Sequence, residues 1–221
     1  MTRVLARVTW RSLPWVAASA SAASALVSLG AFGSPARFAL SRTGVAQLEL
    51  HRLWTGHAVH YGAAHLRGDL LAFLVWAALV EVCSRRLLVV TLLAGAPLLS
   101  LAVLGCCPGV GEYRGLSGLD CTLVAELFVL RAWQTPAAPV ALFGRALPSA
   151  AGKALPWAAL ALFLVKCAFE AVTGRAVLAP DLGHGVELLP ASHWLGVGVG
   201  VAAVAMFASG VRGADPSRRM L

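Results

Sequence analysis

The chain has 221 residues, of which 59% are hydrophobic and only 13% charged, with a mean hydropathy of +0.78. That is too apolar for a soluble domain of this length and marks a protein that crosses a membrane several times. The formal net charge of +8 is scattered at the ends of apolar runs instead of gathered on one polar face, which argues against a nucleic-acid surface; Cys83, Cys106, Cys107, Cys121 and Cys167 show no CxxC spacing, which argues against a zinc site or a disulfide framework.

Six apolar runs follow in chain order, at about 13–33, 63–83, 87–105, 115–133, 155–172 and 191–211. Each is near the roughly 20 residues a helix needs to cross a bilayer. They predict an all-α membrane protein, a six-transmembrane-helix bundle forming one domain over 1–221, with short cytoplasmic termini at about 1–12 and 212–221. The first run follows Arg3, Arg7 and Arg11 and is rich in Ala and Ser. It is read as a retained span, with a cleaved signal peptide as the alternative. With the N-terminus inside, cytoplasmic segments carry eleven Lys and Arg residues and outer segments five, while Arg67 and Lys166 lie within spans. The positive-inside rule then puts both termini in the cytoplasm.

Between the first two runs lies HRLWTGHAVHYGAAHLRGDLLAF, which carries His51, His57, His60 and His65. The histidines invite a metal reading, but their spacings give no HExxH and no carboxylate is at hand beyond Asp69, so no metal is expected. His65 and Asp69 share one face near the outer end of the second run, where ionisable groups are costly unless they meet a wet cavity or a partner.

The fourth run opens on YRGLSG, at 113–118. A helix beginning near Gly115 leaves its first amides without intrahelical partners, and these suit a developing oxyanion beside Ser117. Gly115 and Gly118 let a backbone approach closely. Ser117 is a nucleophile only if a base lies within reach. The fourth and sixth runs both enter from the outer face, which sets His193 level with Ser117. Ser117, Cys121 and Ala125 form one stripe, and His193, Gly196, Gly200 and Ala203 another, so the two helices are expected to pack closely. A pairing of His65 with His193 around a haem would leave Ser117 and its glycines unexplained, so no cofactor is expected. Lys166 with Glu170, Glu126 and Glu81 are read as charges neutralised by pairing. Trp157, Phe163 and Phe169 are aromatic residues of the fifth run.

On these residues the chain resembles the rhomboid intramembrane serine proteases, and most of all their bacterial rhombosortase branch. The resemblance rests on GLSG in the fourth run, SHWLG at 192–196, the HRLWTGHAVHYGAAHL stretch, and YRGLSG together with HLRGDLLAF, and covers about 51–200. It implies Ser117 as nucleophile, His193 as general base and acid, and His65 as an oxyanion-side donor. It also implies peptide hydrolysis near the outer face of a bacterial cytoplasmic membrane, without metal or cofactor. The implied substrates are membrane-anchored exported proteins with a C-terminal sorting tail, made of a small-residue motif, an apolar helix and a basic cluster; the other partner is the lipid bilayer, and no nucleic acid is implied. Rhomboids commonly have asparagine where this chain has Asp69. An ionised carboxylate cannot donate to an oxyanion, so Asp69 is expected to turn toward His65 and hold it as a donor. The alternatives are a protonated Asp69 that donates itself, or Arg67 as its partner. The competing function is a catalytically inactive rhomboid-like protein that binds and escorts membrane helices.

Overall fold

The computed structural model describes residues 13–133, 141–142, 145–146, 149–177 and 188–213. The chain is mostly helical. The main helices are α1 (Trp15–Ser28), α2 (Arg42–Ala46), α3 (Arg52–Ala58), α4 (Ala63–Val90), α5 (Ala96–Cys106), α6 (Ser117–Trp133), α7 (Ser149–Thr173) and α8 (Pro190–Gly213). Three helical stretches are long and apolar enough to cross a membrane: Ala63–Cys106, Ala154–Thr173 and Pro190–Ser209. The expected first and fourth spans are helical but shorter, 14 residues in α1 and 17 in α6. Arg3, Arg7, Arg11, Arg218 and Arg219, on which the topology count leans, lie outside the described residues.

The 44-residue stretch Ala63–Cys106 would extend about 66 Å if straight, twice the hydrocarbon thickness. It is broken at Ser84, whose backbone leaves the helical region (φ −163°, ψ 95°). Ser84 Oγ accepts the amide of Leu87 at 3.2 Å and so caps the helix that follows. The second half returns, because Ser100 Oγ of α5 bonds Leu53 O at 2.7 Å and Ala96 O lies 3.0 Å from His57 Nε2, both on α3 just before α4 begins. A turn of π-helix at Thr91–Gly95 precedes Pro97. Proline has no N–H for the carbonyl of Leu93; the indole of Trp54 supplies one at 3.2 Å.

α1 runs beside α4. At one end its Val16 and Ala17 amides donate to Glu81, at 3.2 and 2.8 Å, which places a carboxylate at a helix N-terminus. At the other end Ser24 and Ser28 donate to Ala58 O. Glu81 also takes Arg85 at 2.8 Å and is paired as expected; Glu126 is not, since it takes only the hydroxyl of Thr91 at 2.5 Å and its Oε2 has no partner among the described residues. Two short antiparallel ladders add to the expected helices: Leu40–Ser41 (β1) with Glu112–Tyr113 (β2), and Ala141–Leu142 (β3) with Arg145–Ala146 (β4). The first ties the segment after α1 to the loop that leads into α6.

The most extensive helix contact is between α6 and α8. A Cβ on Gly196 would lie 2.1 Å from Gly118 O, and one on Gly200 would lie 2.4 Å from Thr122 O. The two backbones therefore touch, and only the absence of side chains permits it.

Candidate active site

Ser117 is the first residue of α6, two residues later than the expected start near Gly115. The loop before it is held on three sides. Gly115 N–H donates to Gly56 O of α3 at 3.2 Å. Leu116 N–H donates to Asp69 Oδ2 of α4 at 3.0 Å. Tyr113, buried on β2, donates its hydroxyl to Gly115 O and meets His57 of α3 edge to face, with ring centroids 5.6 Å apart. Gly115 has φ +124°, and a Cβ there would fall 2.9 Å from His65 Nε2 and 3.0 Å from Asp69 Oδ2. Only glycine fits that conformation and that approach. Gly118 lies against the Tyr113 hydroxyl and Ser192 O, so the turn after Ser117 sits directly on the start of α8.

His193 enters from α8 and is 3% exposed. Its Nδ1 lies 3.0 Å from Glu170 Oε2 on α7. Glu170 is 1% exposed; the same oxygen takes Lys166 Nζ at 2.7 Å, and Oε1 accepts the amide of Val177 at 2.9 Å. The chain reaches that amide by turning at Gly174, in the left-handed region at φ +66° immediately after α7.

Asp69 turns toward His65, as the sequence leads one to expect, and toward a second imidazole as well. His65 Nε2 lies 3.1 Å and His60 Nε2 3.3 Å from Asp69 Oδ2. His65 stacks on Tyr61, over whose other surroundings Arg114 sits 5.0 Å from the ring centroid. His60 Nδ1 is fixed by Ser28 Oγ at 2.9 Å. Burial pushes the imidazolium of His60 below its ordinary range, against the pull of Asp69. His60, His65 and Asp69 bring three ligand-type atoms within 4.8 Å of one another. The same carboxylate oxygen accepts the backbone amide of Leu116, so Asp69 ties the trio to the serine loop.

One cavity of about 360 Å³ joins these parts: Ser117, His193, His65 and Asp69 all line it, although they come from three helices. Ser117 is half-buried there and its Oγ has no hydrogen-bond partner among the described residues. The cavity also takes in Phe163 of α7, while Trp157 and Phe169 are about half exposed on that helix. Gly115 and Gly118 flank Ser117, and Gly196 and Gly200 set the separation of α6 from α8.

Three groups of the site are not legible in the sequence. Sequence pairs Glu170 only with Lys166, four residues before it; its place near the end of an apolar run is the available signal. His60 is one of four histidines in its stretch, and sequence gives it no partner. Asp120 lies three residues after Ser117, buried and lining the cavity, with Oδ1 unpartnered among the described residues; an acid inside an apolar helix on the serine's side was its signal. No known family model matches this chain, and no curated protein matches it.

Proposed function

We propose that this protein is an intramembrane serine endopeptidase of the rhomboid type, built on six membrane crossings with both termini in the cytoplasm. The observation that carries the reading is the shared cavity. Ser117, at the start of one helix, and His193, near the start of another, line the same space, together with His65 and Asp69. A small hydroxyl that shares a cavity with a buried imidazole and stands at the orphan amides of a helix N-terminus supports acyl transfer. Ser117 Oγ attacks the scissile carbonyl carbon and its proton passes to His193. The tetrahedral oxyanion is met by the first amides of α6 and by the side of the cavity that holds His65. Collapse expels the amine, which takes the proton from His193. Water, activated by the same imidazole, then hydrolyses the acyl-enzyme.

The substrates that fit this reading are membrane-anchored proteins carrying an apolar C-terminal sorting tail, cleaved near the outer face of a bacterial cytoplasmic membrane. The test is covalent labelling of the full chain in detergent by an activated fluorophosphonate. The wild type should be labelled at Ser117, Ser117→Ala should not react, and His193→Ala should react at least about a hundredfold more slowly. Undiminished labelling of Ser117→Ala would overturn the assignment.

A further inference from the structure

The resemblance supplies a pair of catalytic residues; the geometry points to a third member, Glu170, as the residue that positions His193. The inference rests on reading Ser117 and His193 as nucleophile and base. A general base must present a bare nitrogen to the serine, and which ring nitrogen is bare depends on the hydrogen bond made by the other. Here that bond is visible. Glu170 is surrounded by donors: the Lys166 ammonium at 2.7 Å and the Val177 amide at 2.9 Å. A carboxylate that receives a cation and a backbone N–H is an acceptor only. The contact of 3.0 Å to His193 Nδ1 therefore requires the proton on Nδ1, and Nε2 is left as the lone-pair nitrogen that serves the cavity.

The carboxylate is also a stable counter-ion for the imidazolium that forms when Ser117 gives up its proton. Its position is itself well determined. Glu170 and Lys166 are one turn apart on α7, and Gly174 folds the chain so that Val177 closes over the free oxygen. Three helices thus contribute one residue each: α6 the hydroxyl, α8 the imidazole, α7 the carboxylate. Besides Lys166, the other titratable groups lining this cavity are Asp120 and Cys121 on α6, His65 and Asp69 on α4, Glu112 and Tyr113 on β2, and Tyr61 and Arg114 in the loops. None of them is hydrogen-bonded to His193; Glu170 alone holds that ring among the described residues.

The experiment uses the full-length protein in detergent, with nitrogen-15 histidine for magnetic resonance and fluorophosphonate labelling of Ser117 for reactivity. In the wild type at neutral pH, the His193 signal, assigned by its loss in His193→Gln, should show a protonated Nδ1 and a bare Nε2. In Glu170→Gln that tautomer preference should disappear, and labelling should slow by about a hundredfold or more. Glu170→Asp should recover part of the rate, because charge and not side-chain length sets the tautomer. A wild-type His193 protonated on Nε2 would overturn the proposal without any variant. So would a folded Glu170→Gln protein labelled as fast as wild type. If wild-type Ser117 takes no label at all, the nucleophile assignment fails and the role of Glu170 in catalysis falls with it.

Discussion

His57 shows how a single buried side chain can tie the stability of this molecule to pH. It is 1% exposed, and desolvation outweighs its bonds to the backbone, lowering its pKa from the ordinary 6.5 to about 4. A group whose pKa is depressed on folding binds fewer protons folded than unfolded between those values. Its stability contribution is therefore complete above pH 6.5 and is lost as the pH falls toward 4. A shift of this size corresponds to something on the order of 3 kcal/mol. His60, depressed by burial in the same direction, adds to the trend. Thermal unfolding in detergent should therefore show a falling midpoint from pH 6.5 to 4, and His57→Gln, which retains a donor for Ala96 O, should show a shallower fall. Parallel curves for the two proteins would count against His57 as the source. Because His57 packs on Tyr113 beneath the Ser117 loop, acid should loosen the site before the rest of the bundle.

Between α6 and α8, the fit of two whole helices depends on which glycine is replaced. Gly196 and Gly200 face α6 with room for no further atom, whereas a Cβ on Gly198 would meet nothing within 4 Å. A methyl group at 196 or 200 must push the helices apart, an overpacking cost of about 1–3 kcal/mol. At 198 the same methyl removes a glycine from a helix and should stabilise by up to about 1 kcal/mol. Gly196→Ala and Gly200→Ala are thus expected to lower the melting temperature and to slow Ser117 labelling, by an order of magnitude or more if Ser117 and His193, the proposed nucleophile and base, separate by about 1 Å. Gly198→Ala should do neither. Equal behaviour of the three variants would show that the stripe does not set the site's geometry.

Over the described residues, the arrangement of polar and apolar groups is compatible with a lipid solvent. Large hydrophobic residues lie exposed around the outside, Leu71, Val82, Leu162, Val165, Val172 and Met206 among them, while Asp69, Glu81, Glu126, Glu170 and His193 are buried. A water-soluble protein of this composition would expose broad apolar patches; in a bilayer the same surface is at home, and the buried charges meet partners or line a cavity. The proposed topology requires the return of the chain at Ser84 to place 63–106 across the bilayer twice. Truncation fusions joined after Arg86 and after Pro108 are expected to report opposite faces, the first cytoplasmic and the second external, with a C-terminal fusion on the cytoplasmic side. A reporter after Pro108 found on the same side as one after Arg86 would mean that the stretch 63–106 does not cross twice.

Sequence alone determined where the apolar helices lie and which hydroxyl stands between glycines at a helix start. Those properties depend on near neighbours in the chain. Only the tertiary structure decided that Glu170 holds His193, that His60 joins His65 at Asp69, and that Trp54 satisfies the carbonyl Pro97 leaves open. The reason is physical. A helix meant for lipid is apolar on most of its circumference, so hydrophobic periodicity does not say which face turns inward. The rotation of each rod is chosen by contacts with residues distant in the chain: glycine against backbone between α6 and α8, and carboxylate against imidazole between α7 and α8.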